Sequence, residues 1–292
     1  MKILLTGATG LLGRELLATI PSKHHIVATT RKPAPLMQTM DITRQANVKK
    51  IFNEIRPELV IHAASLGNVD FCEKNKALAT RTNTVATQYL VNEAKKINAK
   101  FVFFSTNAVF NGKNPPYQEN SRRNPINHYG KTKVAAENFI IKKYMHNSII
   151  FRLQTMYGWN HSDGRSNPVT WLIKYLKEGR KTPVVTDVYN NHLWVHDAAR
   201  TTWKAIDKNM FGNIFHVAGG NCVDRFSLSL LVAETFGLDK NLLFPVTDAY
   251  FPTIAPRPRN TCFDITKLQH VLKIQPLTTS EGLREMKKKY EN

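Results

Sequence analysis

Tyr129 and Lys133 stand four apart in Tyr129-Gly130-Lys131-Thr132-Lys133, so on a helix they share a face. An ammonium beside a phenol favours the phenolate and draws its pKa, ordinarily about 10, toward neutrality. A tyrosine tuned in this way can pass a proton to a developing alkoxide. This pairing is also common on solvated helix surfaces, so it gains meaning only from its company. That company opens the chain: the apolar run at 2–5 leads into Thr6-Gly7-Ala8-Thr9-Gly10-Leu11-Leu12-Gly13 and then a helical pattern. Glycines let the backbone turn sharply off a strand and bring N–H groups against a pyrophosphate, at a helix start whose dipole favours anions. A Gly-rich turn alone is weak evidence, but between a first strand and a first helix it marks a dinucleotide site. A third group, Ser105-Thr106-Asn107, ends the apolar run 101–104 and sets hydroxyls where ligands of open α/β sheets bind.

The elements that must position these residues are legible as alternating periodicities. Short apolar runs at 2–5, 25–29, 59–63, 101–104 and 148–151 read as buried strands. Between them, 11–20, 48–55, 77–97 and 131–144 read as amphipathic helices. That alternation predicts an α/β fold, a doubly wound parallel (Rossmann) sheet covered on both faces. After about Gly158 the pattern loosens. A polar loop is expected at 160–167, a helix at 169–178, a short strand at 184–188, a strand at 213–217, a helix at 227–236 and a Pro/Arg loop at 252–259. The expected division is a cofactor-binding domain at 1–158 and a smaller, partly interleaved substrate part at 159–292, with 213–217 returning to the main sheet.

The 292 residues carry 41 Lys+Arg against 22 Asp+Glu, a net charge of +19. The excess is dispersed, its densest run being Lys287-Lys288-Lys289, so the reading is a basic surface suited to phosphate-bearing ligands and not to nucleic acid. No window approaches eighteen apolar residues, and only Ile3-Leu4-Leu5 precedes Thr6-Gly7, so neither a membrane span nor a secretory leader is expected. Cys72, Cys222 and Cys262 are odd in number and far apart. They read as unlinked, buried structural thiols in a reducing cytoplasm, with no disulfide framework. His192 and His196 have a metal pair's helical spacing but no third ligand, so no metal site is expected. His62, ending an apolar strand, reads as a packed or cofactor-edge residue.

Together the glycine loop, Thr106 and the Tyr129/Lys133 pair resemble the extended short-chain dehydrogenases/reductases. Four stretches narrow the resemblance: 105–112 (STNAVFNG), 127–133 (NHYGKTK), 213–220 (NIFHVAGG) and 257–260 (RPRN) are similar to the dTDP-4-dehydrorhamnose reductase family. The likeness runs from Met1 to about Glu285. It implies NAD(P)H-dependent reduction of a 4-keto group on a nucleotide-diphospho-6-deoxyhexose. By position, it makes Tyr129 the proton donor, Lys133 its partner and a holder of the nicotinamide ribose, and Thr106 the hydroxyl that polarises the ketone. Gly7, Thr9, Gly10, Leu11, Leu12 and Gly13 would cradle the cofactor, Ala63 and Ala64 would lie along it, and Asp41-Ile42 match the adenine-contacting pair. Asn107 and Arg257 would face the substrate, Arg257 through its diphosphate. At the end of the second strand, Thr30 and Arg31 stand where an acidic residue would repel a 2′-phosphate, which favours NADPH, with NADH also accepted.

Three departures touch the sugar side. Asn107-Ala108 stands where the family usually has Asp-Tyr, Thr155 where it often has Trp, and the segment 189–194 (YNNHLW) differs from the usual loop. Two other readings follow. The chain is also similar to the regulatory β subunit of methionine adenosyltransferase, through 114–117 (NPPY) and 257–260, which implies a non-catalytic NADP-binding subunit. An epimerase/reductase of the GDP-fucose synthase kind would need an added acid/base at position 108, where Ala108 stands. A nucleotide-sugar substrate is the expected partner, and a homodimer or a partner enzyme stays open.

Overall fold

Ile3, Leu4 and Leu5 are wholly buried, Ile3 and Leu5 toward one face of a sheet and Leu4 toward the other. This is the two-sided burial that a parallel sheet imposes on its strands. In the computed structural model, which describes residues 1–160, 166–252 and 254–291, the sheet has seven strands, all parallel. They are β1 (Lys2–Thr6), β2 (His25–Thr30), β3 (Gln38–Thr39), β4 (Leu59–His62), β5 (Lys100–Thr106), β6 (Ser148–Leu153) and one that comes late, Asn213–Val217. The order is the late strand, β6, β5, β4, β1, β2, β3.

Helices α1 (Leu11–Ala18), α2 (Gln45–Ile55), α3 (Val69–Lys74), α4 (Lys76–Thr80), α5 (Ala86–Lys96) and α6 (His128–Tyr144) connect the first six strands. One face of the sheet is covered by α2, α5 and α6 through Phe52, Leu90, Val91, Ala136 and Ile140. The other face is covered by α1 and by later helices. The single helix expected at 77–97 is instead broken by a π-turn at Arg81–Val85. There the buried Asn83 accepts from the backbone N–H of Leu66 (2.8 Å) and donates to Thr132 Oγ1 (3.2 Å). The side chain serves the loop after β4, and the helix widens to let it.

Beyond β6 come β7 (Met156–Tyr157), α7 (Pro168–Lys177), β8 (Thr182–Val185), β9 (Tyr189–Asn190), β10 (Leu193–Trp194), α8 (Val195–Asp207), β11 (Asn213–Val217), β12 (Val223–Asp224), α9 (Arg225–Phe236), β13 (Leu243–Val246), α10 (Thr266–Leu272) and α11 (Thr279–Glu291). β11 pairs with β6, so the chain does return to the main sheet. α8 and α10 pack on its free face through Trp203, Ile206, Leu268 and Leu272. A separate apolar cluster joins α7, α9 and α11 with β8 and β13. The strand expected at 184–188 is thus a member of this small two-stranded unit and starts two residues earlier. Residues 161–165 of the expected polar loop, and 253 of the Pro/Arg loop, lie outside the described residues.

One expectation is overturned. Cys222 and Cys262 form a disulfide, with Cα atoms 5.9 Å apart. Neither is an unlinked thiol, and Cys222 is exposed. The forty-residue spacing hid this, because a third segment (β9) organises the meeting: it pairs with β12 on one side and hydrogen-bonds Arg259 and Thr261 on the other. Cys72 is buried, its thiol donating to the Leu66 carbonyl (3.2 Å). Among the described residues no helix is long and apolar enough to cross a membrane.

Candidate active site

The glycine loop is built by close approach. Gly7 has φ +73°, and a Cβ there would sit 2.5 Å from the Ala64 nitrogen, so β1 can turn off this tightly only with glycine. A Cβ on Gly13 would collide with the Gly7 carbonyl oxygen, which locks the first turn of α1 against the loop. Gly10 caps α1 without a side chain, leaving the N-terminal N–H groups facing a cleft. Such a helix start, bare of side chains and pressed against the sheet edge, fits a dinucleotide pyrophosphate.

The catalytic candidates meet the same cleft from the other side. Thr106 ends β5, and Tyr129 and Lys133 lie one turn apart at the start of α6. Asn127 caps that helix by accepting from Gly130 N (2.9 Å) and donates to the Pro256 carbonyl (3.0 Å). A Cβ on Gly130 would collide with the Ala108 carbonyl, so only glycine lets α6 dock against the turn that carries Thr106. The cleft, a cavity of about 1480 Å³, is lined by the glycine loop, Ala63, Thr106, Asn107, Tyr129, Lys133 and Arg257. Thr30, Arg31, Asp41, Ile42 and Ala64 do not line it. Arg31 is exposed just beyond β2, and Asp41 accepts from Thr43 N and Oγ1 (2.9 and 2.7 Å) beside Arg44.

Electrostatics sort the buried groups. Burial pushes the Lys133 pKa down to about 7, and Glu137 opposes this only in part. The reason is visible: Glu137 accepts from Arg152 (2.8 Å), Arg123 (2.9 Å) and Ser105, and Lys133 lies over the Phe103 ring at 4.1 Å. His62 meets Thr6 Oγ1 (2.7 Å) and Thr87 Oγ1 (3.0 Å), and burial followed by the Lys133 charge lowers its pKa to about 3. It is a neutral packed residue that braces the glycine loop, not a base. His196 leaves its neighbour His192 and pairs with Glu15 of α1 (2.7 Å), while both ring nitrogens of the buried His192 lack hydrogen-bond partners among the described residues.

Asn107, Thr155 and Asn190, all within the departures noted in the sequence, meet in one polar wall of the cleft with Gln154 and Thr261, which no motif marked. Asn107 Nδ2 donates to Thr261 Oγ1 (2.7 Å), Gln154 Oε1 (3.0 Å) and Asn190 Oδ1 (3.2 Å), and Thr155 Oγ1 also donates to Asn190 Oδ1 (2.9 Å). Thr106 Oγ1 donates to Asn107 Oδ1 (3.2 Å). Two guanidiniums lie further along the cleft. Arg257 is paired with Asp70 (2.7 Å), and its Nη1 has no hydrogen-bond partner among the described residues. Arg225, the first residue of α9, has no carboxylate within ion-pair distance among the described residues. Its side chain is exposed to the cleft but surrounded by protein, and this, then Arg257, holds its pKa below the usual guanidinium value.

A parallel sheet with a glycine-built helix start and a tyrosine–lysine pair across one cleft defines a dinucleotide-binding α/β protein. The chain belongs to the RmlD substrate binding domain family, whose model matches residues 1–292. It is similar to methionine adenosyltransferase 2 subunit beta of Bos taurus, 27% identical over 92% of this chain and 81% of that one. Two solved dTDP-4-dehydrorhamnose reductases superpose along the full length. The one from Bacillus anthracis, in complex with NADP, has a TM-score of 0.91 at 28% identity, covering 99% of each chain. The one from Clostridium acetobutylicum has 0.90 at 31%, covering 100% of each.

Proposed function

We propose that the protein is an NADPH-dependent oxidoreductase that reduces the 4-keto group of a nucleotide-diphospho-6-deoxyhexose, as a dTDP-4-dehydrorhamnose reductase does. The observation that carries this is one cleft holding the glycine-built start of α1 opposite Thr106, Tyr129 and Lys133. Residues 1–158 hold the cofactor and 159–292 most of the substrate, in the cytoplasm. Gly7, Thr9, Gly10, Leu11, Leu12 and Gly13 cradle the pyrophosphate, Ala63 and Ala64 flank it, Asp41 and Ile42 face the adenine, and Thr30 and Arg31 receive the 2′-phosphate. The bound dihydronicotinamide supplies a hydride. Tyr129 delivers the proton to the ketone oxygen, and Lys133 stabilises the phenolate left behind. Thr106 turns its hydroxyl from Asn107 to the same oxygen. Arg257 takes the substrate diphosphate through its unpartnered Nη1, and Arg225, which sequence reading missed, adds a second guanidinium to that end.

A second reading is a non-catalytic NADP-binding subunit of the methionine adenosyltransferase type. It is favoured by one observation: Asn107, Thr155, Asn190 and Thr261 pair with one another, leaving fewer polar groups for a sugar. A panel of nucleotide-activated 4-keto-6-deoxy sugars with NADPH, followed by loss of absorbance, decides. Turnover of any sugar supports the reductase, and turnover of none favours the regulatory reading.

A further inference from the structure

Three segments from distant parts of the chain build the sugar-facing wall, and one covalent bond closes them. The middle segment is β9. On one side it pairs antiparallel with β12, Asn190 opposite Val223. On the other, Tyr189 N donates to the Arg259 carbonyl (2.7 Å) and Thr261 N to the Tyr189 carbonyl (3.3 Å). At the Asn190 end of this short ladder, the Cys222–Cys262 disulfide ties the two outer segments together.

Each segment contributes to the cleft: Asn190 from the middle, Thr261 from one flank, and Arg225, three residues beyond Cys222, from the other. Cys262 stands between Thr261, which accepts from Asn107, and Phe263, whose N–H donates to Asn191 Oδ1 (2.8 Å). β9 and β12 are two residues each; the Cys222 flank meets the wall through this short pairing and through Arg225 N on the Val188 carbonyl (3.1 Å), while the Cys262 flank is also held by Tyr117 N on the Cys262 carbonyl (2.9 Å) and by Gln154 on the Thr261 carbonyl. Cys262 is buried and Cys222 exposed. The bond is therefore approachable from one side, and its far partner is the leaving thiol.

We propose that Cys222–Cys262 is a thiol–disulfide exchange site that sets the substrate affinity of the cleft. A small external thiol, as thiolate, attacks Sγ of Cys222. The S–S bond breaks and Cys262 leaves as a thiolate that takes up a proton. A second external thiol attacks the mixed disulfide, frees Cys222 as a thiol and departs as the small disulfide. Two electrons thus pass from two external thiols to the protein, and the small disulfide reverses the sequence. In the dithiol state the two flanks are no longer tied to each other, and Arg225 loses its register with Asn190 and Thr261, which Asn107 still bridges. The glycine loop, Tyr129 and Lys133 lie on β1, α1 and α6, outside the clasped segments.

This rests on the nucleotide-sugar reading of the cleft, so its test carries one readout that does not. The protein with NADPH is equilibrated across glutathione buffers from reduced to oxidised, and the thiols are counted by alkylation and intact mass. Reduction is expected to raise KM for the 4-keto sugar by about tenfold while NADPH affinity holds, because small misplacements of positioning groups are costly. Cys222→Ser and Cys262→Ser are expected to stay at the reduced-state KM in every buffer. Equal KM in the two states overturns the proposal, as does a pair whose thiol count never changes across the buffers. If no sugar is turned over, the functional reading fails by itself. Amide exchange at 189–193 and 259–263 then decides: acceleration on reduction supports the clasp, and equal rates reject it.

Discussion

At the scale of single residues, the proposed reaction depends on a phenol with a proton to give. Tyr129→Phe keeps the ring that packs at the start of α6 and removes that proton. The expected outcome is a loss of turnover of about a hundred- to ten-thousandfold with NADPH affinity nearly unchanged. Retention of a tenth or more of the wild-type rate would rule out Tyr129 as the acid. Lys133 gives a second prediction. Burial sets its pKa at about 7 in the free protein, so at pH 8 it is largely neutral there. Ribose hydroxyls and cofactor phosphates favour the ammonium, so the pKa rises on binding and a proton is taken up. The window begins near pH 7 and closes toward the higher pKa of the complex. Calorimetry of NADPH binding at pH 8, in buffers of unlike ionisation enthalpy, should show this uptake in wild type and none in Lys133→Met. Equal enthalpies in both buffers would refute it. These residues were legible because their spacing is local: a strand, a glycine turn and a helix in thirteen positions, or one helical turn from Tyr129 to Lys133. Of the polar wall, Asn107, Thr155 and 189–194 stood out as departures, but their pairing did not. Asn107 reaches its partners across 47, 83 and 154 residues, and no pattern along the chain marks such pairings.

At the scale of elements, α6 is the part whose placement matters most, since it carries Tyr129 and Lys133 and crosses the end of β5. It is held by glycine contact at Gly130 and by an ion pair buried within the sheet face. Arg152 of β6 reaches Glu137 of α6 at 2.8 Å, both almost wholly buried, and Arg123 joins at 2.9 Å. Removing one partner leaves a charge in a low-dielectric setting, which typically costs about 3–5 kcal/mol. Arg152→Met should fall at the lower end of that range, because Arg123 still neutralises Glu137. Denaturant unfolding measures it, and a loss below about 1 kcal/mol would show the pair to be dispensable. Arg152→Met with Glu137→Leu should recover part of the loss, since the buried carboxylate is gone and the part-exposed Arg123 keeps Asn138 Oδ1 (2.8 Å) as an acceptor. The strand-and-helix alternation that predicted α6 could not foresee this pair: Glu137 lies inside the amphipathic helix expected at 131–144 and Arg152 just past the strand expected at 148–151. Nor did periodicity reveal the π-turn at Arg81–Val85, since the cause is Asn83 reaching out of its helix to the loop after β4.

At the scale of the molecule, the dominant fact is charge. A net +19 is spread over the surface, and many lysines pair only with solvent-exposed partners, such as Lys50 with Glu54 (3.8 Å) and Lys174 with Glu178 (4.0 Å). Pairs of that kind add little to stability. The charge acts instead at a distance. Both ligands of the proposed reaction are polyanions, and the cleft they enter carries Arg14, Lys133, Arg225, Arg257 and Lys289 on its walls against Glu15, which pairs with Lys289, and Asp248. A cleft with an excess of one sign, backed by low-dielectric protein, focuses the field and raises the encounter rate of oppositely charged ligands, an effect that salt screens over about 10 Å at 0.1 M. The expected outcome is a kcat/KM for the nucleotide sugar that falls by about tenfold as ionic strength rises from about 10 to about 300 mM, with kcat steady. Steering acts on arrival and not on the proton transfer at Tyr129, so the two constants must part. Duplex DNA, which meets the same surface without a site shaped for it, should bind weakly and let go before physiological salt is reached. A kcat/KM indifferent to salt would mean that the surplus charge serves neither substrate. Tight DNA binding at physiological salt would hand it to a different ligand.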